Sequence, residues 1–327
     1  MKKYQKTLAA LGAALTAGLA GMHYTNIYLS KSACKEELLY YQEGSYYSFR
    51  FGNIFYTKQG HGQPILLIHD LNPACSHIEY KALVDELSSH YTVYTLDLLG
   101  CGRSDKPNLT YTAYLFVQLI NDFIKNVIGE VTHIIASGES ASPVLLACSS
   151  EPSFFGKLIL INPPSLQTAN QIPTASRKMF KTLIETPILG TFLYNIGMSR
   201  RHISKKLEKD TFYTPASGES SSYLLRQKKK CTAFLYEGAH LNGYGSKYLY
   251  SSLKARYLNA NVAHTLKNID HSIYLIMGRE EPSCTDTINE YKFYNCAIES
   301  AVLSKTKHVP HLENPSRFLN LCEIFLS

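Results

Sequence analysis

One ten-residue stretch concentrates the residue types that nucleophilic chemistry needs. The apolar, β-branched run His133-Ile134-Ile135-Ala136-Ser137 breaks at Gly138-Glu139-Ser140-Ala141-Ser142, and a helical pattern resumes through Pro143-Val144-Leu145-Leu146-Ala147-Cys148. A strand, a tight turn with a serine at its tip and then a helix is how a nucleophile elbow reads. The turn strains the serine backbone, so only small neighbours fit beside it. Such a turn lifts the Ser140 hydroxyl clear of the sheet and aims the following amide, that of Ala141, at the same point. A serine that cleaves an ester or amide also requires a base to take its proton and a third group to orient that base. Short Gly-x-Ser-x-small strings occur as ordinary turns too, so the partners must be sought elsewhere in the chain.

Three further segments supply them. Pro64-Ile65-Leu66-Leu67-Ile68-His69-Asp70-Leu71 is a short buried-strand pattern ending at a histidine and the loop Asn72-Pro73-Ala74. Tyr91-Thr92-Val93-Tyr94-Thr95-Leu96-Asp97 runs into Leu98-Leu99-Gly100-Cys101-Gly102-Arg103-Ser104. Near the C-terminus, Ser272–Gly278 leads to Arg279-Glu280-Glu281-Pro282, and later comes Lys307-His308-Val309-Pro310-His311-Leu312-Glu313-Asn314-Pro315. In this order the segments resemble the α/β-hydrolase family over most of residues 46–165 and 268–327. The Asp-x-x-Gly-x-Gly-x-Ser turn and the His-x-Pro-His-x-Glu-x-Pro ending are the specific parts.

That resemblance implies a triad in the chain order serine, acid, histidine: Ser140, Glu281 and His308. Gly278 places Glu281 where the family usually carries aspartate, with Asp286 and Glu280 as alternatives. Asn162 occupies the place where some members put the acid instead. His311 matches a second, structural histidine, and His69 matches the histidine of a His-Gly pair and is read as structural. The oxyanion hole would use the backbone amides of Leu71 and Ala141. Asp97, Gly100 and Gly102 are read as architectural, with Arg103 and Ser104 bracing their loop. The chain departs from the pattern at Asp70 in place of glycine, at Ser142 in place of the last elbow glycine, and at Lys307. A carboxylate at Asp70 would repel an oxyanion unless it points away.

The elements that must position these residues follow from periodicity. A hairpin is expected over Tyr46–Tyr56, turning near Gly52-Asn53. Strands at 64–69, 91–96, 131–137 and 157–162 alternate with helices near 76–89 and 112–128 and the helix after the elbow. Apolar strands separated by helices imply an α/β fold, a mostly parallel sheet covered by helices on both faces. Residues 166–267 lose strand signals and read as an all-helical insertion, which in the family is a cap over the active site. Its joints include Pro215-Ala216-Ser217-Gly218 and Gly238–Gly245. Alternation resumes at 272–277 and 301–305, and a last helix spans 316–326. The domain reading is an N-terminal segment 1–29, a tether 30–45, a core in two parts (46–165 and 268–327) and the cap between them.

Composition narrows the function. Across 327 residues, 45% are apolar and 18% charged, as in a globular chain, and the net charge is +7. Lys228-Lys229-Lys230 and the Arg200-Arg201…Lys205-Lys206 cluster are read as solvated helix faces, not as a nucleic-acid surface. The eight cysteines include no Cys-x-x-Cys spacing, which argues against a zinc ribbon or redox pair. No phosphate loop, dinucleotide fingerprint or metal-ligand cluster is present in the sequence, so no cofactor or metal is expected. Lys2, Lys3 and Lys6 precede a long uncharged stretch through Leu29. It is read as a transmembrane anchor with the catalytic domain extracytoplasmic, or as a cleaved signal segment of a secreted protein.

The expected activity is that of a membrane-anchored serine hydrolase acting on a carboxylic ester or related acyl substrate. Phe180, Leu189, Phe192, Leu193 and Tyr194 in the cap suggest an apolar acyl or aromatic group. Serine, not aspartate, at the elbow argues against a haloalkane dehalogenase or epoxide hydrolase. Another reaction type on the same fold (carbon–carbon hydrolysis, cofactor-free peroxidation or lyase chemistry) and a catalytically inactive binding protein remain open alternatives.

Overall fold

The computed structural model describes residues 2–41, 43–215 and 221–327. Most of the joint predicted at 215–218 therefore lies outside the described residues. Eight strands form one sheet in the order β1-β2-β4-β3-β5-β6-β7-β8. They are β1 (Ser45–Phe49), β2 (Gly52–Gln59), β3 (Gln63–Ile68), β4 (Tyr91–Leu96), β5 (Thr132–Ser137), β6 (Phe155–Ile161), β7 (Ile273–Gly278) and β8 (Glu299–Leu303). The β1–β2 and β2–β4 pairs are antiparallel and every other pair is parallel. The predicted hairpin forms, with its turn at Arg50 and Phe51 and Phe49 paired to Gly52.

The near-continuous apolar runs of β3, β5, β6 and β7 are explained by burial on both faces. Alternate residues of β3 divide between two cores: Leu66 and Ile68 face one, Ile65 and Leu67 the other. The long helix α1 (Lys2–Ala33) precedes the sheet. On the Ile65 side lie α2 (Lys81–Leu87), through Leu83 and Leu87, and the C-terminal helix, through Phe318 and Cys322. On the Leu66 side lie α3 (Ala113–Phe123) and α4 (Ala141–Ser150). Thr112 caps α3 by accepting from the amide of Leu115.

Between β6 and β7 the described residues form helices and no strand. These are α5 (Leu166–Ala169), α6 (Ala175–Glu185), α7 (Leu189–Gly197), α8 (Arg200–Lys206), α9 (Ser222–His240), α10 (Ser246–Lys254) and α11 (Ala263–Asn268). After β7 come α12 (Cys284–Tyr294), α13 (Pro310–Glu313) and α14 (Pro315–Leu326).

Residues 30–45, read as a tether, are pinned to α9. The buried Glu237 carboxylate accepts the amides of Leu38 and Leu39 at 2.8 and 3.0 Å. The N-terminal segment corrects a second expectation. At 32 residues α1 has the length to span a bilayer, yet among the described residues no helix is both long and apolar enough to do so. Its alanines, glycines and threonines dilute the leucines, and its last third docks on protein through polar groups. Asn26, 2% exposed, donates to the carbonyl of Ile188 and accepts from Asn195. The anchor, and the extracytoplasmic placement that followed from it, is therefore unsupported.

Residues 4–20 of α1 are all exposed. Deleting residues 2–20 is accordingly expected to leave the denaturation midpoint of the domain unchanged. Asn26→Ala, which strands Asn195, should cost about 1–3 kcal/mol. Urea denaturation checks both, and a large loss on truncation would contradict this account of α1.

Candidate active site

The carboxyl ends of the parallel strands meet along one edge of the sheet, where open α/β folds present their ligand crevices. β3 delivers His69 and Asp70, β5 delivers Gly138 and Glu139, and β6 delivers Asn162. β7 leads to Glu281, and β8 leads to His308. His308 Nδ1 lies 3.5 Å from Glu281 Oε2, so the sequence-predicted acid and base are brought together. Burial by itself lowers the His308 imidazole, but Glu281, with Asp70 and Glu79 behind it, outweighs this and raises it above the ordinary value of 6.5.

Asn162 is not an acid in this arrangement but a latch. Its side-chain nitrogen donates to the carbonyls of Lys307 and His308 at 2.8 Å, and its oxygen accepts the amide of Gly278. One side chain thus ties the histidine loop to the strand that carries the acid. Glu313 adds a second tie by accepting the amides of Lys307 and Tyr213. Burial pushes its carboxyl up to about 7, against the pull of those two amides. His311 is fully buried, 3.3 Å from Glu79 and stacked on Tyr80. The His69 ring accepts the Leu98 amide at Nε2, which leaves Nδ1 protonated to donate to the Asp70 carbonyl. Asp97 is buried and accepts from the backbone and ring of His77 and from the amide of Arg103, holding the Gly100–Ser104 turn.

The serine is placed differently from the expectation. β5 ends at Ser137, and the residue in the left-handed conformation is the next one, Gly138, at φ +54°. Ser140 lies two residues on, with ordinary helical angles (φ −70°, ψ −15°), as the N-cap of α4. It is 1% exposed, and its hydroxyl donates to the carbonyl of His69 at 2.6 Å. Among the described residues no hydrogen bond joins Ser140 to His308. The tip of the turn is therefore a glycine, and the run Ala136-Ser137-Gly138-Glu139-Ser140 reads small-x-tip-x-small. Ser140 stands where a small residue is needed for close packing, not where a nucleophile is displayed.

One of the two expected oxyanion amides is displaced in the same way. The Ala141 amide is satisfied by the carbonyl of Gly138. The amide that follows the tip belongs to Glu139, and it donates to Asp70 Oδ1 at 2.9 Å. Asp70 thus does not point away; its carboxylate fills the site. A Cβ built on Gly138 would overlap Asp70 Oδ1. The two departures from the family pattern are complementary, because the carboxylate fits only where the tip carries no side chain. Burial, with Glu79 beside it, raises the Asp70 carboxyl above its ordinary value, against the pull of His308, the Glu139 amide and Lys206.

Asp70, Gly138, Glu139, Glu281 and His308 share a cavity of about 1360 Å³, whose lining does not include Ser140. The segment between β6 and β7 contributes Met198, Ile203, Phe212, Phe234 and Tyr250 to it, with Lys206 and Lys254 among the cations. Phe180, Leu189, Phe192 and Leu193, expected to contact substrate, are absent from the lining, and Tyr194 is buried with its hydroxyl on the carbonyl of Ala239. Among the described residues no group of His, Cys, Asp and Glu side chains is arranged to hold a metal ion.

The alpha/beta hydrolase family model matches residues 65–321. The chain belongs to this family. Among curated proteins it is 35% identical over 71 residues to 2-hydroxy-6-oxo-6-(2'-aminophenyl)hexa-2,4-dienoic acid hydrolase of Metapseudomonas resinovorans, a match spanning 21% of this chain and 24% of that protein. It is 35% identical over 74 residues to cis-3-alkyl-4-alkyloxetan-2-one decarboxylase of Shewanella oneidensis, covering 22% and 23%. The matched segments thus span about a quarter of these relatives. Solved structures share the fold. A serine hydrolase involved in carbazole degradation superposes with a TM-score of 0.69 at 15% identity, over 87% of this chain and 98% of that one. Carboxylesterase CesB of Bacillus subtilis gives 0.63 at 14% identity, over 94% and 98%.

The shared volume of Asp70 and Gly138 makes a stability prediction. Gly138→Ala forces a side chain into the left-handed region, which costs about 1–2 kcal/mol before any overlap with the carboxylate. The total should exceed that figure, and Asp70→Gly should relieve the excess. A double-mutant cycle read by chemical denaturation is expected to give a coupling of at least ~1 kcal/mol. Additive effects would show that the two residues do not compete for one volume.

Proposed function

We propose that this alpha/beta hydrolase is a small-molecule enzyme in which His308, oriented by Glu281, moves protons at the floor of the cavity, and in which no seryl acyl-enzyme forms at Ser140. The observation that carries this reading is the glycine at the left-handed tip of the turn. A nucleophile must project into the cavity, and the buried Ser140 hydroxyl is committed to the His69 carbonyl. The imidazole keeps what proton transfer requires: a carboxylate partner, a fixed loop and access to the cavity. The helices over residues 166–267 act as the cap that encloses it. The fold leaves the reaction type open, and the two curated relatives bear names as different as hydrolase and decarboxylase.

Treating the full chain with a fluorophosphonate should leave Ser140 unlabelled, whereas the paired variant Asp70→Gly/Gly138→Ser, with a serine at the tip and the carboxylate removed, should become labelled at 138. Labelling of wild-type Ser140 that disappears in His308→Ala would overturn the reading and restore the serine mechanism.

A base must be neutral to accept a proton, and Glu281 raises the His308 imidazole. The acidic limb of kcat/KM on any substrate found by screening should therefore lie above 6.5, with activity lost as pH falls through it. Glu281→Gln should move that limb to lower pH, and His308→Ala should lower turnover by about 10²–10⁴-fold. A limb that ignores Glu281 would remove His308 from the proton-transfer role.

A further inference from the structure

Glu139 follows the glycine at the tip of the turn, and its amide and its carboxyl are held very differently. The amide is committed to Asp70 Oδ1 at 2.9 Å. The side chain is exposed, and the surface it meets is that of the cavity which Asp70, Glu281 and His308 also line. Among the described residues the Glu139 carboxyl makes no hydrogen bond and no ion pair. The backbone is thus fixed while the acid group is left to the cavity.

We propose that Glu139 is the proton donor of this site and works with His308 on a carbonyl compound bearing a C–H next to the carbonyl, so that its keto and enol forms interconvert. The proposal rests on the reading of His308 as the proton-moving group of the cavity. It adds the acid that such a base requires and, with it, the class of substrate.

The need for a donor follows from the occupied amides. Taking a proton from carbon beside a carbonyl drives charge onto the carbonyl oxygen, which must be met by a donor. The Glu139 amide is taken by Asp70 and the Ala141 amide by Gly138, so neither is free to serve. A protonated Glu139 carboxyl supplies an O–H from the same residue. Burial and the Asp70 carboxyl beside it push it up to about 7, against the pull of His308 and of Lys206 from α8. Tyr291 of α12 lies within range of its charge and stays neutral, because burial holds that hydroxyl well above its ordinary value. An acid that is half protonated near neutrality can donate and be recharged at one pH.

The base stands in the complementary state. His308 Nδ1 faces Glu281 at 3.5 Å, and among the described residues no hydrogen bond engages Nε2. Ile203, Phe212 and Phe234 offer an apolar wall to the rest of the substrate. In the forward step the Nε2 lone pair takes the proton from carbon and the C–H pair becomes a C=C bond. The carbonyl π pair moves onto oxygen and bonds the proton that leaves Glu139. The enol, an imidazolium and a carboxylate result. Return of one proton to carbon and the other to Glu139 restores the ketone and both groups. If the imidazolium exchanges with heavy water first, the sum is R–CH₂–CO–R′ + D₂O giving R–CHD–CO–R′ + HOD.

The test incubates the full chain with phenylacetone or cyclohexanone in D₂O and follows loss of the C–H signal beside the carbonyl by proton NMR. The wild-type chain should accelerate exchange over buffer, and Glu139→Ala and His308→Ala should each lower that acceleration by about 10²–10⁴-fold. Both Glu139 variants retain the amide that holds Asp70, so the turn should persist. Glu139→Gln keeps a donor at every pH. Exchange should therefore survive in it with the alkaline limb of the pH profile removed, which loss of a merely structural side chain would not produce. Infrared difference spectra of the chain labelled with carboxyl-¹³C glutamate should show a protonated carboxyl that fades as pH rises through about 7 and is missing from Glu139→Gln. Exchange that needs His308 but ignores Glu139 would overturn the donor and leave the His308 reading in place. Exchange that needs neither residue would overturn both. No acceleration with either ketone would overturn the carbonyl substrate and the donor together, while the pH dependence of turnover on a screened substrate still tests His308.

Discussion

A carboxylate and a side-chain-free turn share one volume at the end of the sheet, and the character of the cavity depends on that sharing. Asp70 can lie against the turn only because Gly138 has no Cβ, and Gly138 can hold its left-handed angles without strain for the same reason. The Glu139 amide closes the arrangement by donating to the carboxylate, so the ends of β3 and β5 are joined by a charge-assisted hydrogen bond. Such a bond in a sheltered site is worth more than its counterpart in water, and it fixes the polarity of the cavity floor. A carboxyl group now stands where the fold commonly accommodates a developing negative charge.

The opposite wall of the site is built to hold an imidazole. Asn162 takes a backbone conformation that asparagine tolerates better than most residues, at φ +41°, and from there reaches two carbonyls of the histidine loop and one amide of the acid strand. Glu313 grips the same loop from its other side. A loop so constrained keeps His308 facing both Glu281 and the cavity, which is the geometric condition for proton transfer. That these supports accompany a turn without a displayed serine is what separates the histidine's function from the serine's.

The helices between β6 and β7 convert an open strand edge into an enclosed space and also seat the N-terminal region. Glu237 caps the short turn at Leu38–Tyr40, and Asn195 meets Asn26, so α1 and the segment after it are bound by buried polar pairs that carry geometric specificity. Beyond that docking point α1 continues as an exposed rod of small and apolar residues.

Much of the architecture was legible because it depends on local periodicity. The buried apolar runs of β3 to β7 and the helices between them follow from patterns that each lie within a short window, while the pairing of Glu281 with His308 was implied by the family resemblance. The turn was legible as a turn but not in its register, since Gly138 and Ser140 both satisfy a small-residue rule. Which of them stands at the tip is decided by where β5 stops pairing with β6, at Ser137 against Ile161. Asp70 was visible as a misfit, but its direction is set by a contact with Gly138 across 68 positions of the chain, which no local pattern records. The long uncharged N-terminus likewise has the length of a spanning helix, and only its docked asparagine shows where its last third belongs. Local chemistry therefore specified the elements and most of the reactive groups. The tertiary structure alone decided which group faces the cavity, because a side chain's direction depends on the volume its distant neighbours leave free.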